Sequence, residues 1–333
     1  MRKEVLAVGC ALMVFCGCGK NNAAQHYESG WAAMGKKDYT TAVNEFQQVI
    51  DQNSRLAESY RAEGIAYYSE KAYPEAIAAF SRSLNNMDDP DKEFKKDVQF
   101  YLAQARMDYG EVDKAIEVYS EILKAGEDEQ AFFLRGKAYI SMEDYKNAEK
   151  DFQRALEGCE DYNLYINIYQ IYVDHNKAVD GDAYLKMALE LEPQDGEDCY
   201  HRGRIYEYEK NYEAARDELK TAMEQGYEDA MLLLGRVYLE MEDPASARSM
   251  YQEYLQKSEQ GAKAYNGLAM CDIYDGAYDS ALENIAQGLL YNEIVAYEYK
   301  RDFATAKEKM KIYLEQYPED EAALRENEFL STR

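Results

Sequence analysis

One residue pattern returns along this chain at a nearly fixed interval, and the interval constrains the architecture more than any other feature. Gly30 and Gly64, Ala42 and Ala76, and Phe46 and Phe80 are each 34 residues apart. Within the unit from Ala57 to Leu84, Tyr60, Gly64 and Tyr67 come first, followed by Ala76, Phe80 and Leu84. Spacings of three and four place these residues on one face of a helix in each half. Tyr73-Pro74 falls between the halves, where a turn is required and where proline can open the second helix. Small residues on the first helix and at the start of the second let two backbones approach closely. A Phe or Tyr one turn later fills the gap to the next unit. Neither helix can bury its apolar face alone, so neighbouring units must stack.

The register persists. A third unit carries Leu102-Ala103, Ala115 and Tyr119, its spacing stretched to 39 by an Asn/Asp/Pro-rich loop signal at 85–91. A fourth shows Phe132, Gly136, Tyr139, Tyr145, Ala148 and Phe152. The fifth has a bulky Tyr169 where glycine is usual, between Tyr165 and Tyr172, and continues with Gly181, Leu185 and Ala188. The sixth carries Gly203, Tyr206, Ala215 and Leu219, and the seventh Gly235, Tyr238, Ala247 and Tyr251 behind Pro244. In the eighth, Tyr265, Ala269, Ala281 and Ile285 keep the pattern while Asp272 stands where an aromatic is expected. The last unit is compressed, with 25 residues from Ala281 to Ala306, then Met310 and Pro318. Acidic and apolar residues recur at helical spacing over Glu319 to Leu330, which predicts a capping helix with a polar outer face.

A first half patterned W-x2-L-G-x2-Y and a second half patterned A-x3-F resemble the tetratricopeptide repeat, over roughly Ala23 to Pro318. The resemblance implies an all-α, right-handed α-solenoid of helix-turn-helix repeats. About eight full repeats and one truncated one would occupy 26–318, with the capping helix in 319–333. It also implies a concave groove, lined by the first helices, that binds peptide segments.

The first twenty residues have a different character. Arg2 and Lys3 precede an apolar run from Val5 to Cys16, too short to span a bilayer at roughly 20 residues and suited to a signal peptide. The segment resembles a bacterial lipoprotein signal, with 1–17 removed and Cys18 lipidated behind Gly17. Residues 18–25 would then form a polar tether. Phe15 departs from the usual leucine of that signal, and an ordinary cleaved signal or a short anchor are the other readings. An acyl chain would hold the protein at the membrane through about 0.8 kcal/mol per buried methylene.

A formal charge of −26 excludes a general phosphate-binding surface, so no nucleic acid is expected. No metalloprotease, phosphate-loop, nucleophile-elbow or C-x-x-C motif occurs, and His26, His175 and His201 lie in different units. His26 takes a packing position. Asp174, Asn176, Asp180 and Asp182 crowd one turn but lack the spacing and glycine of a calcium loop. Cys159, Cys199 and Cys271 are read as unpaired thiols. Neither an enzyme, a metal nor a cofactor is expected.

Binding is what remains. Most of the 32 tyrosines fall at packing positions, such as Tyr67, Tyr139, Tyr206 and Tyr238. Tyr68, Tyr200 and Tyr208, with Trp31, Phe100 and Phe133, are placed off the pattern and are candidates for the groove. One residue after the small first-helix position stand Gln104, Lys137, Gln170, Arg204 and Arg236. In tetratricopeptide repeat proteins that position faces the groove. The resemblance thus implies a wall of three cations, Lys137, Arg204 and Arg236, suited to carboxylates, unless local acids pair with them, as Glu240 would with Arg236. The Lys/Asn clamp of chaperone-binding members is not reproduced, since Arg61 and Ile65 stand in its place. The expected function is a membrane-tethered, extracytoplasmic adaptor for envelope proteins or peptide segments, outside a single membrane or on the periplasmic side of two. The alternative is a lipoprotein that binds a glycan or cell-wall fragment.

Overall fold

The computed structural model describes residues 22–87, 91–258, 262–285, 290–316 and 321–331. Among them there are nineteen α-helices and no strand. The first helices of successive hairpins are α1 (Ala23–Gly35), α3 (Leu56–Ser69), α5 (Lys92–Tyr109), α7 (Glu129–Ser141) and α9 (Tyr162–Asp174), then α11 (Gly196–Tyr208), α13 (Ala230–Glu240), α15 (Ala262–Tyr274) and α17 (Leu290–Tyr299). Their second helices are α2 (Tyr39–Asp51), α4 (Tyr73–Asn85), α6 (Val112–Ala125), α8 (Tyr145–Ala155) and α10 (Ala178–Leu189), then α12 (Tyr212–Glu224), α14 (Pro244–Lys257), α16 (Tyr278–Ile285) and α18 (Phe303–Gln316). A last helix, α19 (Glu321–Ser331), follows. The chain is thus an all-α solenoid of helical repeats. It divides into two compact units, residues 1–181 and 182–333. The signal segment, Cys18 and Pro318 lie outside the described residues. Residues 23–25, expected in the tether, instead begin α1, where Ala23 is buried.

The turn inside each repeat is built from one recurring conformation. Lys37, Lys71, Glu143, Asn176, Lys210, Glu242 and Arg301 all have φ near +60°, and Gly110 and Gly276 take the same place. A left-handed residue closes the first helix so that the second can fold back at once. In several of these turns the next residue also caps that second helix. Asp38, Asp144, Asn211 and Asp243 accept the backbone N–H of Thr41, Asn147, Ala214 and Ser246 at 3.2, 3.2, 3.4 and 3.0 Å. Each such cap contributes about 1 kcal/mol.

Close approach explains the helical glycines. A methyl at Gly64 would lie 2.6 Å from the Phe80 ring, and one at Gly136 2.7 Å from Phe152. The rings occupy the space a side chain would need, and Phe46, Phe80 and Phe152 are wholly buried. Each buried ring contributes about 2–3 kcal/mol. The fifth repeat solves the same problem in reverse. Tyr169 replaces the first-helix glycine, and Gly181 of α10 provides the space, a methyl there meeting the Tyr169 ring at 3.1 Å and its carbonyl at 3.3 Å.

In the first unit the core runs through Ala42, Phe46 and Ala62 to Phe80, Val98, Leu102 and Tyr119. In the second it passes from Leu219 and Leu234 through Tyr251 and Cys271 to Ile294 and Met310. Asp272 is buried at the aromatic position, and polar bonds replace stacking there. Arg248 Nη1 donates to its Oδ1 at 2.7 Å and Asn284 Nδ2 to its Oδ2 at 2.7 Å. On α19, Leu324 and Phe329 are exposed beside Asn327.

Candidate functional site

Within each unit, helices two apart in sequence also touch, and those in substantial contact are first helices: α1 with α3, α3 with α5 and α7 with α9, then α11 with α13, α13 with α15 and α15 with α17. First helices therefore crowd together on one side of each unit and form a wall. The candidate binding residues lie on these helices.

In the first unit that wall mixes paired charges, amides and one exposed lysine. Arg61 of α3 ion-pairs with Asp97 of α5 and lies over the Tyr101 ring, 5.2 Å from its centroid. The Tyr68 hydroxyl donates to Asp108 Oδ2 at 2.5 Å, and Gln104 donates to Oδ1 of that carboxylate at 3.0 Å. Burial, reinforced by the hydrogen-bonded Asp108, holds the Tyr68 phenol far above its ordinary range. Gln170 repeats the motif, donating to Asp174 at 3.0 Å. Both amides thus satisfy an acid one turn along their own helix. Lys137 on α7 is exposed and forms no ion pair with a described residue. The three large rings assigned to the groove are partly core. Trp31 meets Phe46 edge-on at 5.6 Å, Phe100 packs on Tyr119 at 6.3 Å, and Phe133 on Phe152 at 6.1 Å.

The second unit gathers more chemistry into less space. Tyr200 packs against Tyr227 at 5.0 Å between centroids, and burial keeps its phenol above the ordinary range against the pull of Arg204. The Arg204 guanidinium sits 5.9 Å from the Tyr200 centroid, with Nη1 3.2 Å from His201 Nδ1. Half-buried Tyr208 follows one turn later. Arg236 reaches back from α13 and grips Glu207 of α11 through one edge of its guanidinium, Nε to Oε1 at 2.5 Å and Nη2 to Oε2 at 2.7 Å. The expected partner, Glu240, instead accepts from the Tyr212 hydroxyl at 3.2 Å. A guanidinium on a long stem can span two helices, and the bidentate bond to a neighbouring helix is stronger than an exposed contact along its own. Arg236 therefore has its own counter-charge. The structure brings Tyr200, Arg204, Tyr208 and Arg236 together on two adjoining helices.

Two further ion pairs escaped the sequence reading. Arg135 holds Asp151 through Nε and Nη2, both at 2.7 Å, and Arg202 Nε holds Glu218 at 2.9 Å. Each arginine directly precedes the first-helix glycine, and each acid directly precedes the second-helix core residue, sixteen positions on. That repeated interval was the available signal. The pairs are half-buried to buried and join the two helices of one repeat.

His26 Nδ1 lies 2.6 Å from Glu45 Oε2, which makes its position polar as well as packed, and His175 Nδ1 lies 2.8 Å from the Ile171 carbonyl. Cys199 and Cys271 are buried, and burial raises both thiols, the latter to about 11. Cys159 is half-buried. No group of side chains suited to a metal ion occurs among the described residues. No described helix is long and apolar enough to cross a membrane.

Two family models described as tetratricopeptide repeat match the chain, one over residues 27–91, 200–262 and 232–290, the other over 129–161, together more than half of it. A curated relative, BBSome complex member BBS4 of Bos taurus, is 26% identical over 106 residues. That match spans 32% of this chain and 20% of the relative's length. Among solved structures, a tetratricopeptide repeat protein from Parabacteroides merdae aligns at 16% identity and a TM-score of 0.44, over 75% of this chain and 98% of its own. Yeast Tom70 aligns at 14% identity and a TM-score of 0.47, over 88% of this chain and 84% of its own. MamA from Desulfovibrio magneticus aligns at 15% identity and a TM-score of 0.43, over 52% and 96%.

Proposed function

The chain belongs to the tetratricopeptide repeat family, whose members are scaffolds for protein–protein contact, and from that premise we propose that it is a membrane-tethered, extracytoplasmic adaptor. The observation that carries the binding part is the cluster of Tyr200, Arg204, Tyr208 and Arg236 on the first-helix wall of the second unit. The Arg236–Glu207 bond supplies a template: an acidic segment arriving at this wall would exchange its carboxylate for that of Glu207. Aromatic rings beside the guanidinium add low-entropy contact area. Lys137 and the Tyr68–Gln104 pair give the first unit a second, weaker place of contact. The tether rests on the sequence alone, on Arg2, Lys3, the apolar run and Cys18. Its partners would be envelope proteins or peptide segments. A glycan or cell-wall fragment on the tyrosines is the competing ligand.

The test uses residues 19–333, immobilised and exposed to envelope extract beside a variant with Lys137, Arg204 and Arg236 all changed to Glu. A protein captured by the first and lost by the second is the expected result. Equal capture by both would reject the cationic contribution, and capture that survives protease treatment of the extract would favour the glycan. In cells, labelled fatty acid should appear on the full chain and vanish in Cys18→Ala. Label retained in that variant would remove the tether.

A further inference from the structure

The first-helix wall of the second unit does not end at Arg236, and its continuation differs in kind. The left-handed turn residues Lys210, Glu242, Gly276 and Arg301 register α11, α13, α15 and α17 against one another. Six residues before them stand Arg204, Arg236, Met270 and Val295. Two residues before them stand Tyr208, Glu240, Tyr274 and Tyr299. The two rows are four residues apart, so on each helix both share one face. Contacts of α13 with α15 and of α15 with α17 make the helices neighbours. The wall thus passes from guanidinium groups to a thioether, a valine and two phenols.

Isolated exposed hydrophobic side chains are ordinary on any protein. These are set apart by their register. Met270, Tyr274 and Tyr299 are 42%, 53% and 56% exposed, and Val295 is half-buried. In the row of Tyr274 and Tyr299, the first unit carries Ser69, Asp108, Ser141 and Asp174. The charges next to the two phenols in sequence are already matched: Arg248 Nη2 donates to Asp275 at 2.9 Å, and Lys300 pairs with Asp279. An apolar strip with a neutralised rim has the make-up of a contact surface, and this one continues the row of Arg236.

We propose, resting on the adaptor reading above, that the segment taken by this wall is an acidic–apolar peptide. Its carboxylate meets Arg236, and two large apolar side chains follow, the first at Met270 and Tyr274, the second at Val295 and Tyr299. Packed helices lie about 10 Å apart and an extended chain advances about 3.3 Å per residue, so the three anchors fall about three residues apart. Arg236 stays 59% exposed while bound to Glu207, and its fork sets the position of the carboxylate. The apolar pair supplies most of the affinity by leaving water. Glutamate alone binds weakly, because Glu207 already neutralises the guanidinium and exposed charge pairs are worth little.

Fluorescence anisotropy on the whole chain tests this with dye-labelled Gly/Ser peptides. One carries glutamate, leucine and phenylalanine at that spacing, a second glutamate alone, and a third leucine and phenylalanine alone. Each is also made in reversed order, since the wall does not fix the direction of the bound chain. In one direction the full peptide should bind at least about tenfold tighter than either partial one. Met270→Ser combined with Tyr274→Ser, both at exposed positions, should remove that gain and leave the glutamate peptide unchanged. Arg236→Gln should remove only the contribution of the glutamate. A full peptide no tighter than the glutamate peptide, or a gain that survives the double substitution, overturns the inference and leaves an acidic site standing. Failure of the adaptor reading shows separately, as equal capture by the natural chain and the triple glutamate variant. A dimer seen in sedimentation of the natural chain and abolished by the double substitution assigns the strip to a second copy, which also overturns the inference.

Discussion

The position after the small first-helix residue carries Gln104, Lys137 and Gln170 in the first unit and Arg204 and Arg236 in the second. The amides turn inward on their own helices, to Asp108 and Asp174 one turn away. Arg236 crosses to the neighbouring helix and binds Glu207 with two hydrogen bonds. One backbone position thus has two electrostatic outcomes, decided by side-chain reach. An amide on a short stem bonds locally, whereas the Arg236 guanidinium couples adjacent repeats and still presents an exposed edge. The fold is indifferent to the choice, since these residues lie outside the core; the ligand would not be.

The largest expected effect lies under the walls, where both units use an arginine before the glycine. Arg135→Met leaves Asp151, itself 5% exposed, buried without a partner and should cost about 3–5 kcal/mol. Arg202→Met should cost less, because the Glu218 side chain is 21% exposed and water can compensate. Urea unfolding of each variant measures both, and equal losses would erase this difference between the units. Next comes the space behind the glycines. Gly136→Ala forces a methyl to 2.7 Å from a buried phenylalanine ring and should cost about 1–3 kcal/mol. Gly203→Ala meets Leu219 at 2.6 Å but a leucine can change rotamer, so its loss should be smaller. A larger loss at Gly203, read as a lower unfolding midpoint, would contradict that reasoning.

The smallest effect has the opposite sign. Glu63 stands before its helix glycine where the second unit has Leu234, and both are buried. Its Oε2 and the Ser59 hydroxyl are buried without partners, and burial raises the Glu63 carboxyl above its ordinary value. Glu63→Leu should therefore stabilise the first unit by about 1–2 kcal/mol at pH 8. The raised acid stabilises the natural chain below its ordinary value near 4.5, and that contribution is lost as pH rises through the folded value. The leucine variant's advantage should accordingly grow with pH above 4.5. A variant no more stable than the natural chain at pH 8 would show that the carboxyl finds a partner in solution.

Most of the fold was legible because the repeat is a local code. Gly64, Ala76 and Phe80 state which backbones approach and which ring fills the space, and both demands are met inside one hairpin. The fifth repeat looked degenerate for the same reason: its bulky Tyr169 was visible, but the exchange with Gly181 is a matter of which helix yields. The left-handed turn residues were hidden, since Lys71 or Glu143 carries no conformational signature and only Gly110 and Gly276 announce theirs. At the candidate site, the sequence named Arg204, Arg236, Tyr200 and Tyr208 but not their partners. It offered Glu240 to Arg236 because i to i+4 is the one pairing a single helix can show.

The sequence by itself determined the helical class, the hairpin unit, the interval between units and the identity of the residues on the first-helix faces. These follow from period, residue size and turn chemistry, which act over a few residues. Only the tertiary structure decided that Arg236 answers Glu207 across two helices, and that Asp272 is held by hydrogen bonds from Arg248 and Asn284. Each joins residues on different helices, and the distance between such side chains is set by how the helices pack, a quantity no spacing along the chain contains.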